Sequence, residues 1–159
     1  MLKNKYGVKV TPVDKNNSPY YAFEMAKTMR KEDVAECKAT GCTPSATVSH
    51  SIQDSQEVYA ARYKDTLLCV FGIAGNAIWC LGTEAIKKHQ KALVLIGYSF
   101  IKDAVNKYGK VYNCISKENT PAIRYIEGMA SQSIDLYEGD LTINAVPFLY
   151  FELRRKDHV

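Results

Sequence analysis

Residues 77–116 constrain the fold of this chain more than any other stretch. Ala77, Ile78, Trp79, Cys80 and Leu81 form a β-rich run, and Thr83 followed by Glu84 can cap a helix. Ile86, Leu93, Gly97, Phe100, Ile101, Ala104, Val105 and Tyr108 then recur at three- and four-residue steps until Gly109 stops the pattern. Residues 110–116 alternate again as a strand, with Val111 and Asn113 opposite Tyr112 and Cys114. A strand, a long helix and a second strand in this order force a parallel pair with a right-handed crossover. The pattern therefore predicts strands at 77–81 and 110–116 as parallel neighbours, with a helix at 84–108 between them.

The preceding segments read differently. Residues 58–63, 66–74 and 77–81 are three β-rich runs joined by Lys64-Asp65 and Gly75-Asn76, short enough for hairpin turns, so they predict an antiparallel meander. Upstream, residues 8–13 read as a strand ended by a cluster of turn formers through Ser18 and Pro19. Residues 20–40 read as helical up to Gly41, with a break near Arg30-Lys31 where Glu32 and Asp33 can open a second helix at its positive end. A further helix from about Ser45 places Val48, Ile52 and Ser55 on one face. Downstream, Asn119-Thr120-Pro121 starts a helix, and strands at 133–138 and 147–153 flank a loop containing Gly139-Asp140. The expected architecture is α/β: a mixed sheet made of an antiparallel meander, a parallel βαβ pair and C-terminal strands. Parallel strands in a sheet that began antiparallel create a place where pairing can splay. The long helix points its unpaired N-terminal donors there, a spot that welcomes an anion.

With 159 residues and no repeat or linker rich in Pro, Gly or Ser, the expectation is one domain with its own core. The start, Met1 to Tyr6, has a basic flank but no hydrophobic stretch behind it, and no apolar run approaches a membrane span, which predicts neither export nor a membrane partner. Cys37, Cys42, Cys69, Cys80 and Cys114 are odd in number and lack a Cys-x-x-Cys pair, so they read as free thiols of a reducing compartment, mostly small buried hydrophobes. With three histidines, one of them His158 beside the terminus, no metal site is expected.

The net charge of +4 is uneven: between Glu84 and Lys110 there are six lysines (Lys87, Lys88, Lys91, Lys102, Lys107 and Lys110) against two acids. They can face a phosphate-bearing ligand or fill the solvated face of a helix. One helix face without interleaved arginines or clustered aromatics is a poor footprint for nucleic acid.

The topology, together with Asn119-Thr120-Pro121-Ala122-Ile123-Arg124-Tyr125-Ile126, resembles the GNAT superfamily of acyl-CoA-dependent N-acyltransferases over about residues 22–153. Asn119 with Ala122 matches the family's Asn and Ala three positions apart. The longer stretch, with Tyr108 eleven residues before Asn119, is most similar to the GNAT-like proteins of short-tailed bacteriophages. The resemblance implies an acetyl-CoA site lined by Leu81, Gly82, Lys87, Lys88, Lys91 and Asn119, with the backbone near Cys80 and Leu81 pairing with the pantetheine amides.

Two elements of the family pattern are missing. The phosphate turn, which the family builds with glycine, reads Lys87-Lys88-His89-Gln90-Lys91-Ala92, and Ile126 stands seven residues after Asn119 where active members often place a Tyr. Tyr125 is one residue early, turned by about 100° on a helix, and reads as a core aromatic. Glu84 and Glu57 are the acids nearest the strands, and a capping or exposed role accounts for each of them. Cys80 and Cys114, on the strands that would splay, raise a nucleophile role against the commoner buried, inert thiol. The resulting expectation is weak or absent acetyl-CoA binding. The function expected is binding of a phage or host protein, in virion assembly or on a host factor, in the cytoplasm of an infected cell or in the virion. The alternative is an active acetyl-CoA-dependent N-acetyltransferase.

Overall fold

The computed structural model describes residues 6–157. Met1 to Lys5, read above as lacking a signal core, and His158 lie outside that range.

Strand β1 (Val8–Pro12) leads through a turn capped by Asp14, whose carboxylate accepts from the Asn16 N–H, into helix α1 (Ser18–Thr28), with Pro19 in its first turn. Met29 leaves the helical region, and helix α2 (Lys31–Ala39) starts afresh with Glu32 and Asp33 in its first turn. The predicted break is thus real. Gly41 supplies the left-handed residue after α2 at φ 78°, and helix α3 (Pro44–Asp54) follows, its Thr43 side chain accepting from the Ala46 N–H.

Strands β2 (Glu57–Tyr63), β3 (Thr66–Ala74) and β4 (Ala77–Gly82) form the predicted antiparallel meander, with β1 paired antiparallel to β2. Gly72 is needed inside it: a Cβ there would meet the Glu57 carbonyl and the Trp79 ring. Helix α4 (Gln90–Tyr108) crosses to strand β5 (Lys110–Ser116), which is parallel to β4 as the period change predicts. Helix α5 (Thr120–Glu127) and the strands β6 (Ile134–Ile143) and β7 (Val146–Arg155) complete a seven-stranded sheet in the order β1-β2-β3-β4-β5-β7-β6.

Two boundaries differ from the sequence reading. The crossover helix begins at Gln90, not Glu84. Residues Glu84–Lys88 form a separate 3-10 turn, ended by His89 at φ −131° and ψ 29°. Thr83 does not cap it, because its buried hydroxyl reaches back to the Leu67 and Leu68 carbonyls of β3. The C-terminal strands are not separated at Gly139-Asp140, which pair with Tyr150 and Leu149 inside a longer ladder. The hairpin turns at Asn144-Ala145, both with positive φ.

Alternation assigns the two faces of the sheet. Val58, Ala60, Val70, Trp79 and Leu81 pack against α1, α2 and α3 through Met25, Met29, Cys37, Val48 and Ile52. On the other face Cys69 and Phe71 meet Ala92 and Ile96 of α4, while Ile73, Ile78, Val111 and Leu153 meet Ile101, Val105 and Ile126 of α4 and α5. The gap between β4 and β5 therefore opens to α2 on one face and to α4 and α5 on the other.

Candidate functional site

The parallel pair barely exists as a ladder. Ala77 opposite Tyr112 is its single register pair, with the Tyr112 N–H donating to the Asn76 carbonyl at 2.9 Å. One residue further along β5, the Asn113 side chain takes over: Nδ2 donates to the Ile78 carbonyl at 2.5 Å, and Oδ1 accepts from the Cys114 N–H at 2.7 Å. A side chain in place of a backbone partner wedges the strands apart, and beyond it they diverge.

At the far ends of both arms, helix α2 meets the exposed backbone with two carboxylates one turn apart. Asp33 Oδ2 accepts from the Gly82 N–H at 2.7 Å on the β4 arm, while the Gly82 carbonyl accepts from the Arg30 N–H at 2.9 Å. Asp33 is itself held by the Arg30 guanidinium, through Nε at 2.7 Å and Nη2 at 3.0 Å. On the β5 arm Glu36 Oε1 accepts from the Ser116 N–H at 3.1 Å and from Asn119 Nδ2 at 3.3 Å. Asn76, Ile78 and Gly82 all turn their peptide groups toward β5, so by two-residue alternation Cys80 does as well. Cys80 is the middle of the open stretch, and the residue is exposed.

Asn119, at the mouth of α5, is buried to 4% exposure, and among the described residues its Oδ1 has no hydrogen-bond partner. Nδ2 is committed to Glu36, so the amide presents an unanswered acceptor inside the protein. Such groups are uncommon, because a buried unpaired acceptor costs about 1–3 kcal/mol. Burial raises the Glu36 carboxyl above its ordinary range, and the bonds from Ser116 and Asn119 only partly oppose it.

The lysines follow the Gly82 end of the β4 arm. Lys87, Lys88, Lys91, His89 and Gln90 line one recess with Tyr63 and Ala92 at the N-terminus of α4. Among the described residues no side chain caps that helix, and its first-turn N–H groups have no partner within it. Lys87 also pairs with Glu84 at 2.8 Å. Of the residues the resemblance singled out, Lys87, Lys88 and Lys91 share this recess, Leu81 and Gly82 end the β4 arm, and Asn119 stands on the β5 arm. Gln90 is exposed and lines the recess, at the position where the resemblance leads one to expect glycine.

Tyr125 is more than a core aromatic. It crosses from α5 to α4, donating to the Val94 carbonyl at 3.1 Å, and its phenol lies where a Cβ on Gly97 would have to be. Burial pushes its hydroxyl up, further helped by the nearness of Cys80 and Cys69. Glu57 and Glu84 are committed elsewhere. Glu57 accepts from Tyr108, Tyr59 and Lys107, bonds that outweigh its burial and hold its carboxyl below the usual range, so it ties β2 to α4. Glu84 is exposed, and the Lys87 ammonium holds its carboxyl below the usual range.

Cys80 and Cys42 are exposed, contrary to the expectation of buried thiols. Burial raises the Cys114 thiol above its ordinary value, which disfavours the thiolate nucleophile there. Asp33 and Glu36, the carboxylates that do reach the gap, were not singled out in the sequence, since nothing local marks partners 49 and 80 residues away. Among the described residues no cluster of three or more His, Cys, Asp or Glu could hold a metal ion, and no helix is long and apolar enough to cross a membrane.

Comparison with known proteins finds no matching family model and no matching curated protein. Solved structures do match. An aminoglycoside acetyltransferase, AAC(6')-Ib, in complex with coenzyme A superposes with a TM-score of 0.62 at 14% identity, over 93% of this chain and 95% of that one. An IAA acetyltransferase from Bacillus cereus gives 0.55 at 12% identity, over 92% and 99%. The protein smu.2055 from Streptococcus mutans gives 0.60 at 15% identity, over 92% and 98%. At these identities the likeness is one of fold.

Proposed function

Starting from a chain whose fold is that of the GNAT acetyltransferases, we propose that it binds an acyl-CoA thioester in the gap between β4 and β5 and transfers the acyl group to an amine. The observation that carries this reading is the parting of the parallel pair after one register pair, which leaves the Cys80 peptide groups turned into an open slot. A pantetheine arm is an extended chain with two amides, and it can pair with such an edge as a short extra strand would. The phosphates would then lie at the mouth of α4. Its free N–H groups, its dipole and Lys87, Lys88 and Lys91 all favour negative charge there. Asn119 Oδ1 would receive an N–H of the ligand and lose its buried, unpaired state.

Isothermal titration of the full chain with acetyl-CoA, paired with transfer of a labelled acetyl group to primary amines, tests the reading. Micromolar binding that weakens at least tenfold in Lys88→Glu, together with label transfer, supports it. Absence of heat and of transfer refutes it.

A second reading keeps the fold and drops the turnover: the chain acts by binding a phage or host protein, as in virion assembly. The glycine-free turn at residues 87–92, with the Gln90 side chain at the recess, favours it. A stable protein partner captured by a chain that binds no acetyl-CoA is its signature.

A further inference from the structure

Resting on the acyl-transfer reading, we infer that Glu36 of helix α2 is the group that takes the proton from the attacking amine, on the face of the sheet opposite α4 and α5. Three observations place it there. Glu36 Oε1 is fixed by the Ser116 N–H and Asn119 Nδ2, both at the open end of the β5 arm, whereas among the described residues nothing donates to Oε2. The carboxylate thus has one oxygen pinned and one free, the arrangement a proton acceptor needs. Second, α2 packs on the face that α4 and α5 do not occupy, so a thioester seated between β4 and β5 from the α4 side presents its carbonyl to an amine arriving from the α2 side. Third, Asn119 joins Glu36 on one side and offers its unpartnered buried Oδ1 on the other, so the pair displays acceptors to N–H groups of whatever enters.

The step balances as follows. An ammonium substrate loses one proton to the Glu36 carboxylate and becomes the nucleophile. Its lone pair forms the C–N bond at the thioester carbonyl, and the C–S bond breaks with its electron pair leaving on sulfur. The second N–H proton neutralises the thiolate, and the Glu36 proton returns to solvent. Burial suits Glu36 to this, because it brings the carboxyl nearer to the working pH. The charged and titratable neighbours acting on that site are Asp33 and Arg30 on the same helical segment, which oppose one another, with Cys37 beside it and Cys114 across on β5.

The test uses the full chain, acetyl-CoA and three primary amines of different size: ethanolamine, putrescine and a lysine-containing peptide. Initial rates are measured across pH alongside acetyl-CoA binding by titration calorimetry. The wild type should show a rate rising with pH through a single ionisation. Glu36→Gln, which can still accept from Ser116, should lose on the order of 100-fold in kcat and lose that ionisation, with acetyl-CoA affinity within about twofold of wild type. Glu36→Ala should regain part of the rate with added formate, which a merely structural carboxylate would not allow. Unchanged kcat and pH profile in Glu36→Gln, or wild type that binds acetyl-CoA yet acetylates none of the amines, overturns the role of Glu36 alone. Failure of the wild type to bind acetyl-CoA overturns the acyl-CoA site and this role with it.

Discussion

Asp33 and Glu36 show how single side chains replace the hydrogen bonds that a continuous sheet would have made. Asp33 is 2% exposed and joins Arg30 to the Gly82 N–H, so Asp33→Ala strands a half-buried guanidinium and a backbone donor together. Breaking one side of such a pair costs about 3 kcal/mol, and chemical denaturation of the variant should show a loss of that size. Glu36 behaves in the opposite sense. Its folded-state carboxyl is raised by burial, so its contribution to stability is fully present below the unfolded pKa and is lost as pH rises through the folded one. Glu36→Gln is therefore expected to melt higher than wild type near neutral pH, with the difference vanishing in acid, as calorimetry at two pH values would show. Neither role was legible in the sequence, where Asp33 reads only as an acid opening a helix and Glu36 carries no local signal. Asn119 was legible because a motif carried it, but its orphaned oxygen was not, since burial of one atom depends on packing from α2.

Among the elements, α4 and the last hairpin mark where local pattern and tertiary contact part company. The apolar spacing of the crossover helix fixed its C-terminal end at Gly109, which sits at φ 83°. Its start was misplaced because Thr83 and Glu84 look like a cap, while the Thr83 hydroxyl is bound to β3 instead. As a result, the 3-10 turn sets Lys87 and Lys88 just ahead of the α4 N-terminus rather than along its side. In the hairpin, Gly139-Asp140 carried the usual turn composition, yet the ladder runs through it to Asn144 and Ala145. Asn144 tolerates its φ of 48°, whereas Ala145 at φ 64° is strained by its Cβ. Ala145→Gly restores the preferred Asn-Gly turn and should stabilise the chain by roughly 0.5 kcal/mol, the left-handed strain relieved being partly offset by the added freedom of glycine when unfolded. Thermal melts of the two forms would register it.

For the whole molecule, the mixed sheet and the parallel β4–β5 neighbours were readable from periodicity, because a long amphipathic helix between two short strands leaves few topologies. What periodicity cannot give is how far the strands part. That depends on Asn113 displacing one backbone bond and on α2 carboxylates holding both ends, contacts made between segments far apart in sequence. If the slot binds acetyl-CoA, ligand at a hundredfold excess over Kd adds about 2.7 kcal/mol, which for a chain of this size is a rise of roughly 5–10 °C in Tm. A melting shift does not locate the ligand, whereas amide exchange does. The most direct measurement is residue-resolved hydrogen exchange with and without saturating acetyl-CoA. A ligand lying in the gap slows exchange at the Cys80 amide and at the first turn of α4 while leaving the Asn144-Ala145 hairpin unchanged. Bound acetyl-CoA with Cys80 exchange unaltered would contradict the site between β4 and β5.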